Sequence, residues 1–372
     1  MLEQLKIENF RCFEYFELNH LGRVNLMVGE NNSGKTSILE ALKVFFSDDI
    51  FKSLKQIIAS HGEYIQNTDK IDISYLFNKH ELKFDKHIIF FGIFEDNNQA
   101  QVKLSVIEIR NKEKFKYFLK WIRQEKRTRE EISMLENELM QKGIDFQKIY
   151  DGYSVSPQGK LYNEQDIVEP NSLMLDIDAK NIALKNKFVT SSSLTPQESL
   201  ELFNQVVLTP EEDLVYQALQ TIEPDIERIA PIGNQINSNS RGGFFVRLKN
   251  KKKRVPIGSM GDGIWRMLGL SLALVSAKDG VLLVDEIDTG LHYTALEDMW
   301  KLIWETSKKL NVQVFATTHN SDCWKALEAL TSREDVAEED ISIQRIEKDA
   351  PRSVAYNKKE IATAVERETE VR

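Results

Sequence analysis

Short apolar runs and helically spaced apolar residues divide the chain into recognisable pieces. Arg23-Val24-Asn25-Leu26-Met27-Val28 has the composition of a short buried strand, and Ile38 to Phe46 carries the apolar spacing of a helix. Upstream, Met1 to Phe10 and Phe13 to Leu18 predict two strands joined by a turn at Asn9-Phe10-Arg11-Cys12. Between Ile71 and Arg110 the alternation of Ile71 to Leu76 and of Val102 to Ile109, with a turn at Asp96-Asn97-Asn98, predicts a small antiparallel sheet.

From Lys112 to Gln141 the pattern becomes a charged helix that Gly143 would end. Phe115, Phe118 and Ile122 form one apolar seam and Ile132, Leu135 and Leu139 another. The charged stretch from Gln124 to Glu131 between them argues against a sustained coiled coil. A projecting arm that touches a partner and a solvated helix packed on the body both fit. Asp151-Gly152 and Ser156-Pro157-Gln158-Gly159 then mark a loop-rich return.

Further on, Lys187 to Thr190 predicts a strand, Thr195-Pro196-Gln197-Glu198 a helix cap, Glu211 to Ile222 a helix and Ile226 to Ala230 extended structure. Phe244 to Leu248 and Arg254 to Ile257 predict a hairpin around Lys249-Asn250-Lys251-Lys252-Lys253. That turn is the densest positive cluster of the chain. Lacking interleaved aromatics, it reads as a soluble tip in preference to a phosphate contact. A helix over Ile264 to Ala277, a strand over Val281 to Val284, a helix through Met299 and Trp304, and strands at Val312 to Thr318 and Ile341 to Ile346 follow. The divisions are an N-terminal lobe at 1–110, a helical and loop-rich insertion at 111–180, and a C-terminal lobe at 181–372.

Composition narrows the classes. At 372 residues and 41% hydrophobic content the chain can bury a full core. With 49 Lys and Arg against 58 Asp and Glu, its net charge of -9 repels nucleic acid and anionic membranes overall, so such binding must be local. Cys12 and Cys323 form neither a disulfide ladder nor a zinc pattern, which points to a reducing, cytoplasmic setting. The start lacks a signal peptide's apolar core, and the run Leu268 to Val275 is too short to span a bilayer, so no membrane partner is expected.

The chemistry concentrates in two places. Gly29-Glu30-Asn31-Asn32-Ser33-Gly34-Lys35-Thr36-Ser37, set between a strand and a helix, fits the phosphate-loop pattern G-x-x-x-x-G-K-[ST] from Gly29 to Thr36. The glycines let successive N–H groups turn toward the phosphate oxygens of a nucleoside triphosphate, Lys35 would reach the β and γ phosphates, and Thr36 would offer its hydroxyl to Mg²⁺. The second place is the apolar run Val281-Leu282-Leu283-Val284 ending in Asp285-Glu286, a Walker B strand. Asp285 would hold Mg²⁺ and Glu286 would polarise the attacking water. Glycines at Gly258-Ser259-Met260-Gly261-Asp262-Gly263 before a helix make another anion-binding end.

These motifs, in this order, resemble the ATP-binding-cassette class of ATPases, within it the RecF, SMC and OLD-like group, including OLD-like anti-phage defence ATPases. Ile7-Glu8-Asn9-Phe10-Arg11 is similar to that group's opening strand and turn, which places Arg11 among the nucleotide contacts. Ser259, Gly261 and Gly263 stand where the signature motif belongs, Asp288 where the D-loop belongs and His319 where the switch histidine belongs. Met260 and Asp262 depart from the transporter form of the signature. For the Q-loop, Gln197 is a candidate that equally reads as a helix N-terminal residue.

The resemblance implies an α/β P-loop NTPase of ABC-ATPase type, with a mixed central sheet, an antiparallel β subdomain and a charged helical insertion. It implies ATP and Mg²⁺ as ligands and a homodimer or higher oligomer built through ATP-sandwiched heads. A separate nuclease or toxin effector, and nucleic acid, are the implied partners. A RecF-type repair ATPase is the alternative function, and a transporter motor subunit fits less well. OLD-like nucleases carry a metal-binding acidic domain after the ATPase head. Only the 53 residues at 320–372 follow His319, so this chain is not expected to cut nucleic acid itself.

Overall fold

The computed structural model describes residues 1–64, 72–81, 86–108, 173–180, 184–231, 243–249, 251, 253–367 and 371. β1 (Leu2–Phe10) and β2 (Phe13–Leu18) form the opening hairpin, with Phe10 opposite Phe13 and Ile7 opposite Phe16. The buried side of β1 changes phase between Leu2 and Leu5 because a bulge interrupts its register with a later strand there. β3 (Val24–Val28) is buried at every position and leads through the glycine loop into α1 (Lys35–Phe45) and α2 (Ile50–His61).

β4 (Ile88–Phe94), β5 (Gln99–Glu108) and β6 (Leu173–Lys180) complete an antiparallel sheet of order β2-β1-β4-β5-β6. β6 comes from the far end of the segment read as an insertion, so the lobe's sheet reclaims 173–180. The expected charged helix over 112–141 lies outside the described residues. A strand was expected over Ile71 to Leu76, but Ile73–Leu76 is a 3-10 turn. Asp72 explains the difference: its carboxylate accepts from the amide and hydroxyl of Ser74, a local bond that competes with any ladder.

In the C-terminal lobe β7 (Asn186–Val189) precedes α3 (Pro196–Val206), whose capping box of Thr195 and Glu198 forms as expected, and α4 (Glu212–Gln220). β8 (Ile226–Pro231), β9 (Phe244–Leu248) and β10 (Val255–Pro256) make a three-stranded sheet that delivers the chain to α5 (Asp262–Ser276). β11 (Val281–Val284), α6 (Leu296–Leu310), β12 (Gln313–Thr317), α7 (Ser321–Ala326), β13 (Ile341–Arg345), β14 (Val354–Tyr356) and α8 (Lys358–Glu366) follow.

The central sheet has the order β14-β13-β3-β12-β11-β7, parallel except for β14. It divides two hydrophobic cores by the two-residue period of a strand. Met27, Val281, Leu283 and Phe315 face α1 and the antiparallel sheet, whereas Leu26, Leu282, Val284, Val314 and Ala316 face α5 and α6. The parallel register places the carboxyl ends of β3, β12, β11 and β7 side by side, the edge where an open α/β sheet binds its ligand.

Candidate nucleotide site

The loop after β3 is built around Gly34, which takes φ +100° and leaves no room for a side chain, since an added Cβ would meet the Phe13 ring at 2.4 Å. Gly34 also provides no side-chain cap for α1, so the helix's first N–H groups open onto the loop. Lys35 Nζ donates to the carbonyl oxygens of Gly29 and Glu30, each at 2.7 Å. Burial pushes the Lys35 ammonium's pKa down, and the charges of Asp285 and Glu286 oppose that. The Ser33 hydroxyl is buried and finds no hydrogen-bond partner among the described residues, as suits a loop shaped for phosphate oxygens. Glu30, Asn31 and Asn32 are exposed on the loop, and Ser37 lies in the first turn of α1.

Across the sheet edge the two acids end β11. Thr36 Oγ1 is 3.3 and 3.4 Å from the two carboxylate oxygens of Asp285. A hydroxyl and a carboxylate facing each other are the hard oxygen donors Mg²⁺ takes, so these residues fit that ion. Thr317 Oγ1 donates to Asp285 Oδ1 at 2.7 Å and accepts from the Glu286 amide at 2.9 Å. Glu286 itself has φ +46°, and its carboxylate accepts from Thr289 Oγ1 at 3.2 Å and lies 3.5 Å from His319 Nδ1. The fold therefore brings Lys35, Thr36, Asp285, Glu286 and His319 together from three separate stretches.

Other predicted residues have different surroundings. Asp288 accepts from Thr318 Oγ1 at 2.7 Å and Asn320 Nδ2 at 3.0 Å, so both of its oxygens brace the turns after β11 and β12. Arg11, with φ +54°, directs its guanidinium at Glu40 of α1 and at Glu63, and also donates to the Tyr75 carbonyl. Those carboxylates, not the loop, are its partners. Gln197 donates to Glu201 one turn along α3, as an exposed helix N-terminal residue does.

The stretch expected as the signature is a 3-10 turn, Ile257–Met260, followed by Gly261 at φ +94°. Ser259 and Gly261 are exposed, and α5 begins without a side-chain cap. The stretch packs on the turn after β11 that was expected as the D-loop: a Cβ on Gly290 would lie 3.3 Å from Asp262 Cβ, and one on Gly263 would lie 3.4 Å from the Gly290 carbonyl oxygen. Two residues that the motif reading passes over also belong to the site. One is Thr317, which serves both acids. The other is Arg266, whose guanidinium is buried against the backbone of the Asp285 to Ile287 turn. The sequence signal for Arg266 is a single charge inside the apolar run from Ile264 to Val275.

The model of the AAA ATPase domain family matches residues 1–323. An ATP/GTP phosphatase of Helicobacter pylori is 23% identical over 368 residues, covering 91% of this chain and 90% of that protein. The DNA replication and repair protein RecF of Clostridium acetobutylicum is 22% identical over 330 residues, covering 80% of this chain and 88% of its own. The solved SMC head domain from Thermotoga maritima aligns over 96% of this chain and 98% of its own, with a TM-score of 0.44 and 14% identity. No helix among the described residues is long and apolar enough to cross a membrane. Given the matched span, the chain belongs to the AAA ATPase domain family.

Proposed function

We propose that the chain hydrolyses ATP at sites shared between two copies, and that this ATP-gated pairing controls a nuclease or toxin carried on a separate polypeptide, as in anti-phage defence. The observation that carries the reading is exposure. The Glu286 and His319 side chains keep 42% and 53% of their surface open, although a general base works best where water is excluded. The signature loop is likewise open, with an uncapped helix N-terminus and Ser259 and Gly261 facing outward. A second copy that lays this loop on the phosphates held by Lys35 would close the one and use the other. Mg²⁺ on Thr36 and Asp285 would supply charge neutralisation at the transferred phosphate. ATP then stabilises only the paired state, and hydrolysis releases it.

Light scattering of Glu286→Gln with ATP and with ADP tests the pairing. A dimer with ATP alone is expected, and a monomer in both would end the reading. The purified chain should also leave plasmid, single-stranded DNA and RNA intact with Mg²⁺ or Mn²⁺, and cleavage by it would place the nuclease in this polypeptide.

A second reading, a RecF-type repair ATPase acting on DNA directly, is favoured by one surface. On the outer face of the three-stranded sheet Arg228 lies opposite Arg247, and Arg254 stacks 4.2 Å from the centroid of the Phe245 ring. Lys249, Lys251 and Lys253 are exposed beside it. The aromatic absent from the basic turn is thus supplied by the neighbouring strand. Salt-dependent DNA binding lost on Arg228→Glu with Arg247→Glu would favour repair, and no binding by wild type would remove this reading.

A further inference from the structure

We propose that Arg266 is a positioning residue for hydrolysis: carried on α5, it fixes the backbone from which Glu286 projects and so ties the signature helix to the general base. Its guanidinium donates to the carbonyl oxygens of Asp285 at 2.9 Å and Glu286 at 2.7 Å from one nitrogen, and to Ile287 at 3.4 Å from Nε. Another nitrogen donates to the Thr190 carbonyl at 2.7 Å, just beyond the end of β7. All four acceptors are main chain. Among the described residues no carboxylate pairs with Arg266 directly, although it is only 2% exposed.

Burying a charge among carbonyls is costly and needs a return. Helix α5 has many apolar side chains on the same core, so packing alone does not require an arginine here. What the arginine supplies is geometry. Glu286 sits at φ +46°, a conformation that residues other than glycine rarely take, in the middle of the three carbonyls that Arg266 gathers. Three consecutive carbonyls turn toward one point only if the chain bends sharply, and the planar fork rewards that bend. The Glu286 amide is held from the other side by Thr317, so both ends of the residue are fixed and its carboxylate direction follows. Burial lowers the Arg266 pKa to about 10, against the raising effect of Asp288, Asp285 and Glu286, so the group remains charged near neutral pH.

The link to α5 follows from position. Arg266 is one turn after Asp262, where the helix begins, and the D-loop packs on that same first turn. A ligand or partner that shifts the signature end of α5 therefore moves the donor that sets Glu286. The assignment rests on the ATPase reading.

Wild type, Arg266→Lys, Glu286→Gln and the double variant form the test. Lysine keeps the charge but lacks the fork. Arg266→Lys should lower kcat about tenfold or more while the affinity for a fluorescent ATP analogue stays within about twofold, since Lys35 and Thr36 are untouched. In the Glu286→Gln background the same change should cost less than about twofold, because the group that Arg266 positions is gone. Hydrogen exchange should speed up at the amides of 285–287 and stay unchanged at those of 35–37. An equal loss in both backgrounds, lost ATP binding in a folded variant, or unchanged kcat would overturn the role. If the lysine variant does not fold, Arg266→Gln repeats the cycle, and failure of both to fold would make Arg266 a core brace. Absence of hydrolysis in wild type overturns the ATPase reading and the assignment with it, whereas wild-type hydrolysis unaffected by Arg266→Lys overturns the assignment alone.

Discussion

The hydroxyl of Thr317 lies 2.7 Å from the carboxylate of Asp285, and the same oxygen receives the amide of the next residue, Glu286. One side chain at the end of β12 thus fixes both acids at the end of β11. Thr317→Val keeps the shape but leaves the part-buried Glu286 N–H without its acceptor and removes the shorter of two hydroxyl contacts to Asp285 Oδ1. We expect a stability loss of about 1–3 kcal/mol, the usual range for an unsatisfied buried group, and slower hydrolysis. Chemical denaturation alongside steady-state phosphate release checks this. A variant as stable and as active as wild type would remove Thr317 from the site.

Glu286 and Lys35 should fail in different ways. Glu286→Gln keeps the fold of the turn and the phosphate loop, so nucleotide affinity should hold while hydrolysis slows at least about a hundredfold, the usual scale for losing a general base. Lys35→Ala removes the ammonium held 2.7 Å from the loop carbonyls and should lose nucleotide binding itself. Equilibrium binding and single-turnover hydrolysis separate the two. Near-wild-type turnover in Glu286→Gln would mean that another group activates the water.

The contrast between these residues and Arg266 explains how far the sequence could be read. Lys35, Thr36, Asp285 and Glu286 lie in contiguous motifs whose chemistry is carried by side chains in fixed order, and the strands beside them are buried throughout and apolar but for Asn25. The parallel sheet core was legible for that reason. Among the described residues the partners of Arg266 are main chain, at Thr190 and at 285–287, and no residue type records a carbonyl. Arg11 carries the family-like turn, yet its partners Glu40 and Glu63 come from α1 and beyond α2, a pairing visible only after folding. Ile73–Leu76 alternates like a strand, but one Asp72 carboxylate was enough to hold it as a turn.

Composite sites predict complementation. If Ser259, Gly261 and Gly263 serve the nucleotide of the other copy, a Lys35→Ala chain mixed with a Gly261→Asp chain leaves some dimers with one intact site. Gly261 faces open space, so the aspartate acts through charge and its φ of +94° without a clash in the core. Partial recovery of hydrolysis is expected over either variant alone. Mixed dimers that form but recover nothing would point to sites within one chain or to two sites that must fire together.

The pH dependence of stability should report the cluster beneath α1. His61 Nε2 bonds Glu40, which also takes Arg11, and the Glu40 bond raises the histidine's pKa against burial and the Arg11 charge. A raised folded value means that the protonated histidine stabilises fully below its unfolded pKa of about 6.5 and that the gain is lost as pH rises through the folded value. The melting temperature of wild type should exceed that of His61→Gln most below about pH 6.5, and the gap should narrow as pH rises above it. The ring is partly exposed, so the difference should shrink in high salt. A gap that grows with pH would reverse the assignment.

Cys12 offers a reporter of nucleotide binding that does not depend on turnover. Cys323 is fully buried and Cys12 is exposed, so one thiol of the two meets a reagent in the folded chain. Its sulfur lies 3.9 Å from Ser37 Oγ and 2.8 Å from the position a Gly34 Cβ would take, which sets it against the loop and the first turn of α1. Burial of the sulfur pushes the thiol's pKa up, and the Ser37 contact opposes that, so alkylation should be slow at neutral pH and speed up as pH rises. A nucleotide seated on Gly29 to Ser37 would crowd that sulfur. Mg-ATP should therefore slow alkylation of the wild-type chain and leave the rate unchanged in Lys35→Ala, where the nucleotide no longer binds. Mass spectrometry of the Cys12 peptide gives the rates directly. Equal rates with and without nucleotide in the wild-type chain, at concentrations that saturate binding, would show that the phosphates do not approach the turn between β1 and β2.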